Sequence, residues 1–353
     1  MPHALDVSLS LAWLLACGTL GLVLLLILSL LLLRWVRWRR EPQLQAFQAR
    51  WRRLLMRCAL GDDVQNELPL LQSRERWPFM KLWLHCQMSL HGPARDRLAR
   101  LAQTLDCGPM ALSRLNSLYA AERLMAILAL GFLKDASAQP AVLEQMRSGG
   151  SQTVVYAARA LLEIDARAHA DEVVQTLLQR QNLDLSLVSV LHKPFRAQLQ
   201  QVLLSQAPAA SSSDDQILPW LRLARALTLQ LPAQMLAPFL TDQRSTDVLI
   251  AAIRLFQGES GRGMVAAHAR HEDWRVRAQV AQALGQIGMP NDADVLVHMT
   301  TDLQWWVRYR AAQALLRIPG LGPQRVRSLI STTQDRYAAN MLAAVMAEEG
   351  TAA

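Results

Sequence analysis

The stretch Ala278-Gln-Val-Ala-Gln-Ala-Leu-Gly-Gln-Ile287 returns 31 residues later as Tyr309-Arg-Ala-Ala-Gln-Ala-Leu-Leu-Arg-Ile318. Tyr156-Ala-Ala-Arg-Ala-Leu-Leu-Glu-Ile164 fits the same frame, and Ala126-Ile-Leu-Ala-Leu-Gly-Phe-Leu133 lies another 31 residues upstream. Weaker copies fall at 223–229 and 248–256, with a further trace near 185–191. Within the good copies the apolar positions are Val280, Leu284, Ile287; Ala311, Leu315, Ile318; Ala157, Leu161, Ile164; and Ala126, Leu130, Leu133. Steps of three and four place each set on one helical face, and the alanines between them permit close helix approach. Each copy pairs with a second short helical stretch, such as 292–300 or 142–147. One hairpin cannot bury such a stripe, whereas stacked neighbours can, so a period of roughly 28–33 residues predicts an all-α solenoid. No alternating Val/Ile run bounded by turns argues for a sheet.

Asp273-Trp-Arg-Val-Arg277, leading into Ala281-Gln-Ala-Leu-Gly-Gln-Ile-Gly288, resembles the HEAT family in its short bacterial form. There a Val-Arg pair opens the second helix of a repeat and an Ala-x-Ala-Leu core follows. Trp306-Val-Arg308 and Ala312-Gln-Ala-Leu315 repeat the likeness, which extends over roughly 119–348. It implies a scaffold, and it implies that Arg277 and Arg308 bond to acidic or backbone groups between repeats. The matching positions upstream hold Val154 and Arg123, so that ladder is incomplete. Thr301 and Gln304, three apart, predict a capping box before the last good copy.

The N-terminal part differs in kind. From Val7 to Leu33 there are 27 residues without a charge, which as a helix would reach about 40 Å against a hydrocarbon core of about 30 Å. Leu14-Leu-Ala-Cys17 is shaped like a lipoprotein cleavage box, but sixteen uncharged residues continue beyond Cys17 and no Lys or Arg precedes it. A single transmembrane helix is the expectation. Asp6 is the only charged side chain before it, while Arg34, Arg37, Arg39 and Arg40 follow, so the N-terminus is expected outside and the C-terminal body in the cytoplasm of a bacterial-type inner membrane. Cys17, Cys58, Cys86 and Cys107 form no CxxC pair, consistent with reduced and mostly buried thiols.

The net charge of +8 is concentrated. Residues 34–57 carry eight arginines (34, 37, 39, 40, 50, 52, 53, 57) against Glu41, a balance of +7 that leaves about +1 for everything else. Arg34, Arg37, Arg39, Arg40, Arg50, Arg52, Arg53 and Arg57 are therefore expected at a membrane surface, and no nucleic-acid partner is expected. The expected organisation is a tail (1–6), the span (7–33), a basic juxtamembrane segment (34–60), cap helices (61–118), repeats (119–348) and a second tail (349–353). Pro42 should end the first helix, and 43–59 should be amphipathic, serving both the interface and the first packed layer. The cap should hold four short helices punctuated by Pro69, Pro78, Pro93 and Pro109.

Candidate chemistry is thin. Asp292-Ala-Asp294 has the spacing of metal-dependent glycosyltransferases but opens a helix after Pro290, where carboxylates offset the helix dipole. Gly258-Glu-Ser-Gly-Arg-Gly263 has neither a preceding strand nor a lysine, so it is a turn and not a phosphate loop. His268, His271 and His298 lack the ligand spacing of a zinc site, and there is no Gly-x-Ser-x-Gly elbow. The HEAT-like bilin lyases and base-excision glycosylases would need a catalytic acid in a pocket or a basic groove, and the sequence offers neither. No catalytic, cofactor-binding or metal-binding residue is expected, and the chain is not expected to be an enzyme; the alternative is a lyase or enzyme regulator with an unseen site.

What remains is surface. In the second helix of each repeat one stripe avoids the core: Arg275, Gln279, Gln282, Gln286 in one copy and Trp306, Arg310, Gln313, Arg317 in the next. The upstream equivalents are Gln152, Tyr156, Arg159, Glu163 and then Ala121, Met125, Leu128, Phe132. Arg275, Gln279, Trp306, Arg310, Gln313 and Arg317 are the expected partner-binding residues, a Trp–Arg composition common in interface hot spots. Trp274 and Trp305, one position back, are expected to pack between repeats. The functional expectation is a membrane-tethered adaptor with a membrane-associated protein partner, by resemblance an accessory of an envelope glycosyltransferase or polysaccharide system.

Overall fold

The computed structural model describes residues 3–180, 183–318, 320–321, 324–328 and 335–351; among them there is no strand. Within these ranges the side chains of 3–17, 19–20, 33, 36–44, 192–193, 259 and 349–351 stand outside the described set. The chain divides into two units, Met1–Ser117 and Leu118–Ala353.

The first unit contains α1 (His3–Leu60), α2 (Ser73–Ser89), α3 (Pro93–Thr104) and α4 (Cys107–Arg114). The expected stop at Pro42 does not occur, because α1 runs unbroken for 58 residues. An interior proline costs about 3 kcal/mol, a finite penalty that helix on both sides and a packed C-terminal face can outweigh. That face holds Trp51, Leu54, Leu55, Cys58 and Ala59, all buried. Trp51 meets Phe79 of α2 edge to face, with centroids 4.6 Å apart. Arg97 of α3 donates to the carbonyls of Cys58 and Ala59, at 3.2 and 2.5 Å, satisfying acceptors that the end of α1 leaves open. The apolar side of 51–59 is thus engaged in the unit's own core, as the packed-layer part of the expectation for 43–59 has it, while Arg50, Arg52 and Arg53 stay exposed. Arg57 is engaged too, since its guanidinium pairs with Glu67 and Asp62. The cap region holds three α-helices and a single 3-10 turn, not four helices, since Pro78 is accommodated inside α2. Cys58 and Cys107 are buried free thiols, and burial pushes the Cys107 thiol up to about 12.

Among the described residues no helix is long and apolar enough to cross a membrane. Of the expected span 7–33, the described side chains are those of Gly18 and 21–32, and the rest of that expectation lies outside the described residues. Leu22 to Leu28 and Leu30 to Leu32 are exposed, Ser29 being the half-buried exception.

The second unit is the repeat array: α5 (Ala120–Leu133), α6 (Gln139–Ser148), α7 (Ser151–Gln179), α8 (Ser189–Ser205), α9 (Asp214–Ala226), α10 (Ala233–Leu236), α11 (Thr246–Ile253), α12 (Arg262–Ala266), α13 (Trp274–Ile287), α14 (Ala293–Met299), α15 (Trp305–Arg317) and α16 (Arg336–Thr351). Helices of the 31-residue frame lie against their counterparts in successive repeats, α5 on α7, α11 on α13 and α13 on α15. The apolar stripe read from the sequence forms this core: of its twelve members only Ile164 is half-buried, and the other eleven are buried. α7 is two helices joined at a kink, because Asp165 leaves helical geometry at φ −151°, ψ 100°. Its carboxylate then accepts from the amides of Arg167 and Ala168, acting as the cap of the second half.

Helices approach closely where the sequence reads Ala-Leu-Gly. A Cβ built on Gly131 would stand 2.6 Å from Ala160 Cα, and one on Gly285 would stand 2.8 Å from Ala314 Cα. In both places the glycine of one repeat receives the first residue of Ala-Leu-Leu in the next.

The loops are fastened by arginine. Arg277 donates to the carbonyls of His271 and Glu272 at 2.8 and 2.9 Å, and to both carboxylate oxygens of Asp302 in the next loop at 2.6 and 2.9 Å. Arg308, 31 residues on, donates to the carbonyls of Asp302 and Leu303 at 2.7 and 3.1 Å. The bonding between repeats implied by the HEAT likeness is therefore present at Arg277, whereas Arg308 bonds to the backbone of the loop that leads into its own helix. Asp302 also accepts from the Gln304 amide, in place of the expected capping box, since Thr301 turns its hydroxyl to the His298 carbonyl. Burial alone would raise the Asp302 carboxyl, but the Arg277 hydrogen bond, the Gln304 amide and the charges of Arg277 and Arg308 outweigh it and hold it below the usual range. Asp273, bonded to Arg275, falls to about 2. A carboxyl depressed by folding stabilises above its unfolded value, near 3.9, and that stability drains away as pH falls through the folded value. The melting temperature should accordingly drop between about pH 4 and pH 2. Asp302→Asn should cost roughly 2 kcal/mol at pH 7, below the 3–5 of a fully buried pair, and should flatten the acid limb. An acid limb unchanged in the variant would show that Asp302 carries none of it.

Candidate partner-binding groove

Second helices α13 and α15 and the end of α11 enclose a shallow depression of about 290 Å³ lined by Ile250, Arg254, Trp274, Arg275, Ala278, Gln279, Gln282, Trp306 and Arg310. Four of the six residues expected to bind a partner, Arg275, Gln279, Trp306 and Arg310, line this one feature. Trp306 is 51% exposed. It lies edge to face against Trp305, with centroids 4.9 Å apart.

The other expectations fare differently. Gln279 is buried, not open, because Arg254 lies over it and donates Nε–H to its side-chain carbonyl at 2.7 Å. Gln313 is half-buried, with its amide on the Tyr309 hydroxyl and its carbonyl accepting from Arg310. Arg317 is exposed at the far end of α15 and does not line the depression. Arg275 is held by Asp273, an arrangement that lowers the carboxyl and raises the guanidinium.

Trp274 and Trp305 correct the expectation that they pack between repeats: they are 37% and 47% exposed. Each is the first residue of its helix, and instead of entering the interior Trp305 stacks on Tyr309 at 5.1 Å and 9°. Losing that stack should cost no more than about 1.5 kcal/mol. In the upstream copies the stripe is closed at one end only: Leu128 and Phe132 are buried, with the Arg159 guanidinium over the Phe132 ring at 5.4 Å, while Ala121 and Gln152 are exposed.

Sequence reasoning missed Arg254. α11 ends at Ile253, and Arg254 follows it still in helical backbone geometry at φ −65°, ψ −19°, from where its side chain reaches Gln279 of α13. A second, smaller depression shares Ile250 and Arg254 with the first and adds Leu221, Arg222, Arg225, Asp247 and Ala251. The two together run across α9, α11, α13 and α15.

The residues dismissed as chemistry are structural. Asp292 accepts from the Met289 amide and pairs with Arg262. A Cβ on Gly261 would fall 1.9 Å from the Phe256 ring, so packing demands that glycine. His268 faces Asp242 at 3.5 Å. Among the described residues no group of three His, Cys, Asp or Glu could hold a metal ion. Of the membrane-surface set, Arg34, Arg50, Arg52 and Arg53 are exposed, Arg57 is ion-paired, and the side chains of Arg37, Arg39 and Arg40 lie outside the described residues.

Residues 233–316 match the family of HEAT repeats, the segment that carries α10 to α15 and most of the groove. No curated protein matches the chain. Among solved structures, the crystal structure of an engineered protein is similar at 17% identity, covering 80% of this chain and 77% of that one, with a TM-score of 0.27.

Proposed function

We propose that this chain is a protein-interaction scaffold held at a membrane by its N-terminal helix, with the groove around Trp306 as the docking surface. The observation that carries the reading is Trp306 itself, half exposed on a stripe of polar neighbours and lining the same depression as Trp274, Arg254 and Arg310. A solvated Trp contributes little to folding, whereas Trp and Arg at the centre of a patch are the residues that dominate interfaces. HEAT repeats supply such surfaces, although fold alone assigns no partner.

The tether rests on the 27 uncharged residues of 7–33 and on the consecutive exposed aliphatics from Leu22. At about 100° per residue such a run presents apolar surface on every side of the helix, which suits hydrocarbon better than one packed partner. The arginines that follow favour a cytoplasmic body, and the partner class in view is an envelope glycosyltransferase or polysaccharide machine of the inner membrane.

One experiment addresses both parts. Full-length protein should stay in carbonate-washed membranes and capture its partner on cross-linking, and deleting 7–33 should release it. Trp306→Ala should leave the melting temperature within about 2 °C while reducing the cross-linked species at least fivefold. Release of the full-length chain by carbonate would remove the tether, and undiminished cross-linking by the Trp306 variant would remove the groove.

A further inference from the structure

The arginines of the array divide into two sets. Most are consumed by the fold: Arg147 pairs with Glu172, Arg244 with Asp214, Arg262 with Asp292 and Arg277 with Asp302. Arg180 and Arg308 bind backbone carbonyls. The groove is different. Arg222, Arg225, Arg254, Arg275 and Arg310 line its two joined depressions, and Asp247 is the only acid among the lining residues. Arg275 has Asp273, but Arg222, Arg225, Arg254 and Arg310 have no carboxylate within ion-pair distance among the described residues. Burial pushes the Arg254 guanidinium down from its ordinary value, and the like charge of Arg225 pushes the same way.

Resting on the scaffold reading above, we infer that the groove takes an acidic peptide segment of its partner, carboxylates on the row Arg222, Arg225, Arg254 and Arg310 and an apolar anchor against Trp306 and Trp274. Four guanidiniums without counter-charges cost the empty groove mutual repulsion, and a polyanionic chain relieves it while gaining charge-assisted hydrogen bonds. The exposed indoles favour a peptide over a bare polyanion, since they offer anchor area for one aromatic or aliphatic side chain. Four arginines spread over three helices, two on α9, one at the end of α11 and one on α15, suit an extended or helical segment and not a single small anion.

The test uses the full chain in a non-ionic detergent and a fluorescein-labelled 14-residue probe of Asp and Glu around a central Leu-Trp pair. Binding should weaken steeply with salt, and R254E/R310E should lower affinity at least tenfold. Trp306→Ala should lower it about fivefold, and a Lys-for-acid version of the probe should not bind. Replacing Arg50, Arg52 and Arg53 by Gln should change affinity less than twofold, which separates the groove from the basic segment near 50. If R254E/R310E loses its melting transition, R222E/R225E is decisive, because those side chains are exposed and make no hydrogen bond in the fold. The inference falls if groove reversals leave probe affinity intact. It also falls if a 14-nucleotide single strand competes fully and is lost on the same variants, which would assign the groove to nucleic acid. If the probe fails while Trp306-dependent cross-linking in membranes persists, the scaffold stands and the acidic partner does not.

Discussion

Trp51→Ala should destabilise the first unit by about 3–5 kcal/mol, the range for a large aromatic removed from a packed core. Trp51 is 2% exposed and makes its edge contact with Phe79, itself fully buried. Nothing nearby can collapse into the space easily, since Leu55 and Met80 are fully buried as well. The measurement is urea unfolding followed by tryptophan fluorescence, with Trp83 remaining as the reporter; its indole N–H donates to the Leu98 carbonyl at 2.9 Å. A loss under about 1 kcal/mol would mean that 51–59 is not a core element and serves the interface alone.

Gly285→Val should cost about 3 kcal/mol, the upper end of the overpacking range. The added Cβ would meet backbone, Ala314 Cα at 2.8 Å, together with Ala314 Cβ at 2.9 Å, so no side chain can rotate away to admit it. The outcome should be a shift of α15 against α13, visible as loss of cooperativity in thermal unfolding of the array. Gly263 supplies the control, because a Cβ there meets nothing within 4 Å. Equal effects at 285 and 263 would mean that helix propensity, not close approach, governs both.

Periodicity made the array legible. A stripe at steps of three and four over a 31-residue frame has one physical solution, and eleven of the twelve named positions are buried. Proline was misleading. Positions 42 and 78, read as breaks, both lie within helices. A proline removes one backbone bond, and burial on the rest of the helix can exceed that loss. The candidate groove was half legible. The frame put Trp306 and Arg310 on one face, but it could not show that Arg254, at the end of a short helix, covers Gln279. Charge was the other blind spot. Summed along the chain the array is nearly neutral, yet the fold sorts the signs, placing acids in the loops that arginines fasten and leaving arginines across the groove.

The double use of Asp302 bears on how such an array can lengthen and diverge. Its side chain serves Arg277 while its main-chain oxygen serves Arg308. Only the first bond depends on the identity of residue 302; the second is offered by any amino acid that keeps the loop's path. A duplicated hairpin would carry the second kind of fastening with it from birth, before any residue had adapted. Sequence drift could then erode the carboxylate pairings one by one while the frame of 31 persisted.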